Sequence, residues 1–129
     1  MSDHLELRDA TFSLVFELAD RPKVTIEGVI SMADPTSLLN PYFEKVHAAV
    51  VASSHRTVYV DLRRLEFLTS SAFKSLVHWV RQIEKLPVQS RYEVYFLANH
   101  QRRGQLAFLN ALCCFAPNTL RISPDPAGA

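Results

Sequence analysis

Three consecutive hydroxyl residues, Thr69-Ser70-Ser71, are the part of this chain best suited to chemistry. An apolar segment, VYVDL from Val58 to Leu62, and a short charged link precede them, and an apolar-periodic stretch follows at once. A strand that delivers hydroxyls to the start of a helix can hold a phosphate, because first-turn amides are unpaired and the dipole is positive there. If Ser70 were esterified, about two negative charges would sit at that positive end. The dipole would favour them by about 0.3–1 kcal/mol. The same position also suits a plain helix cap: Ser70 or Ser71 as N-cap would accept a backbone N–H, worth about 1 kcal/mol. Residue type and spacing leave both readings open.

Other chemistry finds little support. The histidines His4, His47, His55, His78 and His100 form no His-x-x-x-His pair and no cluster with cysteine, so no metal site is expected. Cys113 and Cys114 are adjacent in an apolar segment and read as small buried apolar residues. Neither a GxGxxG nor a Walker A pattern occurs, nor the GxSxG elbow of serine hydrolases. Asp34, Asp61 and Glu66 could approach one another near strand ends, but their spacing does not argue for a general acid and base. We therefore expect no enzyme, no catalytic residue and no cofactor. Arg102 and Arg103 open a third helix where cations are disfavoured; a compensating anion or a solvated helix end accounts for them. The outward face of the second helix, Lys74, Ser75, His78, Arg81, Gln82 and Lys85, is basic and suited to an acidic partner.

The bulk properties are those of a folded globular domain. At 129 residues, 48% hydrophobic and 21% charged, the chain suits one folded domain. A formal charge of +1 gives no global drive toward nucleic acid or anionic membrane. The apolar runs are too short to span a bilayer, and MSDHLELRD lacks the apolar run of a signal peptide, so a cytoplasmic location is expected.

The elements that must position the hydroxyls read as follows. FSLVFEL (Phe12 to Leu18) and KVTIEGVI (Lys23 to Ile30) form a hairpin at a sheet edge across the turn Asp20-Arg21-Pro22-Lys23, with Gly28 marking a bulge or a close backbone approach. Asp34-Pro35 and Asn40-Pro41 are two helix-start signals, and a helix begun at Pro35 should kink or restart at Pro41. VYVDL reads as a strand covered on both faces. Ala72 or Phe73, Leu76, Val77, Val80 and Ile83 trace the second helix up to Pro87, with Trp79 at the margin of the stripe. A strand from Tyr92 to Ala98, a helix from Arg102 to Leu112 and a short strand from Thr119 to Ile122 complete the chain. The order β-β-α-β-α-β-α-β predicts one α/β domain, with a mixed, mostly parallel sheet and helices packed on it. Residues 1–11 read as a polar N-terminal segment, 12–122 as the domain and 123–129 as a fraying tail.

The stretch from Val58 to Leu76 resembles the STAS domain, the family of bacterial anti-sigma factor antagonists and of transporter cytoplasmic domains. The family pattern is an apolar strand ending in Asp-Leu, a link, then Phe-(apolar)-Asp-Ser-Ser/Thr-Gly leading a helix; Asp61, Leu62, Leu65, Phe67, Leu68, Ser70 and Ser71 fall in place. Gly28-Val29-Ile30 followed by Asp34, and LANHQRRGQLAFLNAL, resemble two further family segments. Thr69 stands where the pattern has aspartate, and Ala72 where it has glycine. The resemblance implies a regulatory domain that is phosphorylated by a serine kinase of the anti-sigma factor type and restored by a cognate phosphatase. It implies Ser70 as the phosphoacceptor, with Ser71 and Thr69 as alternatives. A partner surface is expected at Thr69, Ser70, Ser71, Phe73, Lys74 and Asp34, and a homodimer is compatible with it. Two other functions stay open: a constitutive scaffold or oligomerisation module without the switch, and an anion- or nucleotide-binding domain using Arg102 and Arg103.

Overall fold

A computed structural model of the protein describes residues 4–18, 21–99 and 101–122. The expected fraying of 123–129, the Asp20 end of the first turn and His100 lie outside the described residues.

The strands are β1 (His4–Arg8), β2 (Phe12–Glu17), β3 (Lys23–Ile30), β4 (Thr57–Asp61), β5 (Leu65–Leu68), β6 (Glu93–Leu97) and β7 (Leu120–Ile122). The helices are α1 (Thr36–Ser53), α2 (Ser70–Glu84) and α3 (Arg103–Phe115). The sheet runs β1-β2-β3-β4-β6-β7, and β5 pairs with β3 beside this path. β1, β2 and β3 are antiparallel neighbours, whereas β3, β4, β6 and β7 lie parallel, joined by helical crossovers. The mixed, mostly parallel α/β sheet read from the sequence is thus the one observed.

One face of the sheet is buried. Phe12, Leu14, Phe16, Val24, Ile26, Val58, Val60, Val94 and Phe96 alternate along their strands and join one core with Leu39, Phe43, Val46 and Val50 of α1 and Leu76, Trp79, Val80 and Ile83 of α2. The intervening Val15, Thr25, Tyr59 and Tyr95 are half-buried. β4 is therefore covered fully on one face only, contrary to expectation; Tyr59 and Tyr95 pair their rings on the more open side, with centroids 5.7 Å apart.

Several local expectations are corrected. The polar N-terminal segment contains β1, where Leu5 and Leu7 alternate with His4, Glu6 and Arg8, so β1 and not the β2–β3 hairpin is the sheet edge. Helix α1 runs as one helix through Pro41 and does not restart there, and its start is fixed by the Pro35 carbonyl accepting from the Leu38 and Leu39 amides. Asp34 does not cap it; its carboxylate accepts from the Thr36 hydroxyl at 2.8 Å. Trp79 is not marginal but 1% exposed, stacked on Phe43 at 5.0 Å, with its indole N–H donating to the Tyr92 hydroxyl at 2.9 Å. Ser75 is also buried; nothing in the structure explains its unpartnered hydroxyl. α3 extends a turn beyond Leu112, which leaves Cys113 half-buried and Cys114 exposed, both as free thiols.

Candidate functional site

The site is built where β3 and β5 hand the chain to α2. β3 changes partner halfway: its first half pairs with β4 and its second half with β5, with a register shift between Gly28 and Val29. Gly28 has φ +96°, and a Cβ there would lie 2.2 Å from the Thr11 carbonyl oxygen. Both readings of this glycine, bulge and close approach, hold. The Gly28 amide donates to the Arg64 carbonyl and the Val29 amide to the Thr11 carbonyl.

Asp61 shapes the next turn. Its carboxylate, 8% exposed by residue, accepts from the Arg63 backbone amide at 3.0 Å and from the Arg63 guanidinium at 2.8 and 3.0 Å. Burial works against its charged form, but the Arg63 hydrogen bonds and the charges of Arg63 and Lys23 outweigh this and hold the carboxyl below its ordinary range. The turn between β4 and β5 is also tied to α3. Gln105 Nε2 donates to the Leu62 carbonyl at 2.9 Å and the Leu65 carbonyl at 3.4 Å, while its Oε1 accepts the Asn99 amide at 2.7 Å. Sequence reasoning missed Gln105, because no local pattern links it to carbonyls some forty residues earlier.

The hydroxyl triplet then divides its labour. Thr69, not Ser70 or Ser71, is the N-cap of α2: it is extended (φ −73°, ψ 162°), and its Oγ1 accepts the Ala72 amide at 3.2 Å. Its own amide donates to the Ile30 carbonyl, which fixes the helix start to the end of β3. Ser70 is the first helical residue and is exposed; Ser71 is half-buried. Neither serine hydroxyl has a hydrogen-bond partner among the described residues. Ala72 sits in the core at 1% exposure, where the family pattern has glycine.

Ser70 opens onto a groove of about 590 Å³ between β5, the start of α2 and α3. Leu65, Phe67, Leu68, Phe73 and Phe108 supply its apolar lining, and Glu66 and Arg102 its charges. Phe73 and Phe108 meet edge to face across it, with centroids 4.9 Å apart. The structure thus brings Ser70 and Phe73, both of the expected partner surface, together with Arg102, which the sequence suggested only as part of an anion site. Thr69, Ser71 and Lys74 adjoin Ser70 in sequence but do not line the groove, and neither do Asp34 and Arg103. Arg102 and Arg103 are both exposed, and α3 has no side-chain cap and no acidic residue in its first turn. Among the described residues, no group of three or more His, Cys, Asp or Glu side chains could hold a metal ion, and no helix is long and apolar enough to cross a membrane.

No family model and no curated protein matches the chain. Among solved structures it is similar to the crystal structure of an anti-sigma factor antagonist from Mycobacterium paratuberculosis. The two share 26% sequence identity and a TM-score of 0.56, over 92% of this chain and 92% of that one. The chain thus has a fold similar to that of an anti-sigma factor antagonist, the STAS type that the central motif resembles, with a divergent sequence.

Proposed function

We propose that this domain is a non-enzymatic regulator that binds a protein partner through the surface around Ser70 and is switched by phosphorylation of that serine. The observation that carries the reading is the division of labour in the triplet. Thr69 supplies the cap, so the Ser70 hydroxyl is exposed and uncommitted at the first position of α2. A phosphate there would meet the positive end of a helix that has no acidic residue in its first turn. Likeness to a solved anti-sigma factor antagonist supports a regulatory role exercised on a protein partner; in this proposal that partner is an anti-sigma-type serine kinase, opposed by a phosphatase. The partner surface would comprise Thr69, Ser70, Ser71, Phe73 and Lys74, with Asp34 beyond the groove. Phosphorylation would act as a local charge change on an interface. A cytoplasmic setting suits such a partner.

The test is mass spectrometry of the domain after incubation with a cognate anti-sigma-type kinase and ATP, paired with partner binding by Ser70→Asp. Phosphate on Ser70 and weakened binding by the aspartate variant are expected. An unmodified Leu68–Lys74 peptide together with wild-type binding by Ser70→Asp would refute the switch. That outcome would leave the constitutive scaffold, in which the triplet serves only as a cap.

A further inference from the structure

We infer that the groove between β5, the start of α2 and α3 is a binding site for a small amphipathic carboxylate, its apolar body on Phe67, Leu68, Phe73 and Phe108 and its carboxylate at Arg102. This goes beyond the phosphorylation switch and does not depend on it.

Size is the first argument. The groove's volume of about 590 Å³ lies within the range of small-molecule pockets, roughly 300–1,000 Å³, which are mostly apolar with a few placed polar groups. Its lining has that character, and Phe67, 53% exposed at the mouth, is the most exposed aromatic side chain among the described residues. A phenylalanine so exposed beside further aromatic rings is a surface that gains from being covered.

The groove is also held open by the fold. The Gln105 amide pins α3 to the Leu62 and Leu65 carbonyls, while Thr69 pins α2 to the end of β3. The edge-to-face pair of Phe73 and Phe108 bridges the two helices. Moving α3 out of this position would break the Gln105 hydrogen bonds, so the space is a pre-formed feature.

Charge selects the occupant. The Arg102 guanidinium makes no hydrogen bond or ion pair among the described residues, and Arg102 stands at the cap of a helix with no acidic first turn. Glu66 is the one carboxylate lining the groove, and Arg102 is its one cation, with the exposed Ser70 hydroxyl as a further donor in the lining. With one arginine offset by one glutamate, the site suits a single negative charge on an apolar body better than a dianion. A bare inorganic anion would leave the apolar lining uncovered.

The test titrates the isotopically labelled domain with octanoate, 1-octanol and inorganic phosphate, following amide chemical shifts. Octanoate should give saturable shifts at Phe67, Ser70, Phe73 and Gly104; octanol should bind about tenfold more weakly, the worth of one charge-assisted hydrogen bond at a wet site. Phosphate should produce no saturable shift there. Arg102→Gln should weaken octanoate about tenfold and leave octanol unchanged. Phe67→Ser, at a half-exposed position, should weaken both in a variant whose amide spectrum shows it folded. Three results would each overturn the proposal: no saturation by octanoate in the millimolar range, equal affinity for octanol and octanoate, or shifts centred away from the groove. Unchanged octanoate binding by a folded Arg102→Gln variant would remove the role of Arg102 and with it the choice of a carboxylate.

Discussion

Replacing Thr69 tests the local architecture of the site most directly. Thr69→Ala deletes one interaction, the 3.2 Å hydrogen bond from the Ala72 amide to Oγ1. The backbone bonds of the same residue, from its amide to Ile30 and from the Phe73 amide to its carbonyl, survive the change. A 3.2 Å bond is at the long end of the normal range, which places the loss in the lower part of the roughly 0.5–2 kcal/mol spanned by N-cap deletions. Ala72 is 1% exposed, so water replaces the lost acceptor poorly, which raises the cost. About 1 kcal/mol is the result, equivalent to a fall of about 4 °C in Tm for a domain of this size. Thr69→Ser should be close to wild type. Thr69→Asp keeps the cap and adds a charge to a first turn that has no acidic residue, so it should match or exceed wild type by about 0.3–1 kcal/mol at low ionic strength. Added salt should shrink that gain. Urea denaturation with a constant m-value reads all four proteins on one scale. An alanine variant within about 0.3 kcal/mol of wild type, or an aspartate variant less stable than alanine, would refute the assignment of Thr69 as the working cap.

Three further outcomes are expected. Gly28→Ala, with φ at +96° and its Cβ 2.2 Å from a backbone oxygen, should cost at least about 2 kcal/mol, and recovery of wild-type Tm would show that the β3 bulge is not as described. Tyr92→Phe strands the buried Trp79 N–H and should cost about 1–3 kcal/mol in urea denaturation; a loss below about 0.5 kcal/mol would mean that the indole finds another acceptor. His47 Nδ1 lies 2.6 Å from the Tyr92 hydroxyl, and burial holds His47 below the ordinary histidine range. The unfolded chain then takes up a proton near pH 6.5 that the folded chain refuses, so this contribution is complete above about pH 6.5 and is lost as pH falls toward the lower folded value. Compared with His47→Gln, wild type should lose more stability between pH 7.5 and pH 5.5, by at most about 1 kcal/mol because the ring is partly wet; parallel pH profiles would rule the linkage out.

The parts of the fold that could be read in sequence were those whose periodicity is satisfied by their own segment. FSLVFEL, KVTIEGVI, YEVYFLA and the stripe of α2 bury the residues their spacing selects. The parts that escaped depend on partners elsewhere in the chain. HLELR has a strand's alternation but only two apolar residues, and it becomes β1 because β2 offers it an edge. LEFL resembled a link because its pairing with β3 exists only beyond the Gly28 bulge. By spacing alone Trp79 lies beside the stripe of α2, and its burial depends on an acceptor that Tyr92, thirteen residues later, supplies. The convergence of Ser70 and Arg102 on one groove likewise follows from the way Gln105 seats α3, which no local spacing reveals.

Thr69 shows why an altered motif need not mean an altered site. An aspartate at that position could do two things, cap α2 and place a negative charge beside Ser70. Threonine keeps the first and drops the second, so the geometry that presents Ser70 survives while the electrostatics next to it change. One fewer negative charge beside the acceptor lowers the repulsion that an incoming phosphate, or the carboxylate of a ligand in the groove, would meet. The stability series on Thr69 reads the cap and the effect of the added charge on the helix, but not its effect on a bound anion. Phosphate transfer to Ser70 and octanoate binding, each compared between wild type and Thr69→Asp, read that effect. If a folded Thr69→Asp domain loses octanoate affinity and Thr69→Ser does not, the missing charge is what opens the groove to anions. Equal affinity in both variants would place Thr69 in a purely structural role.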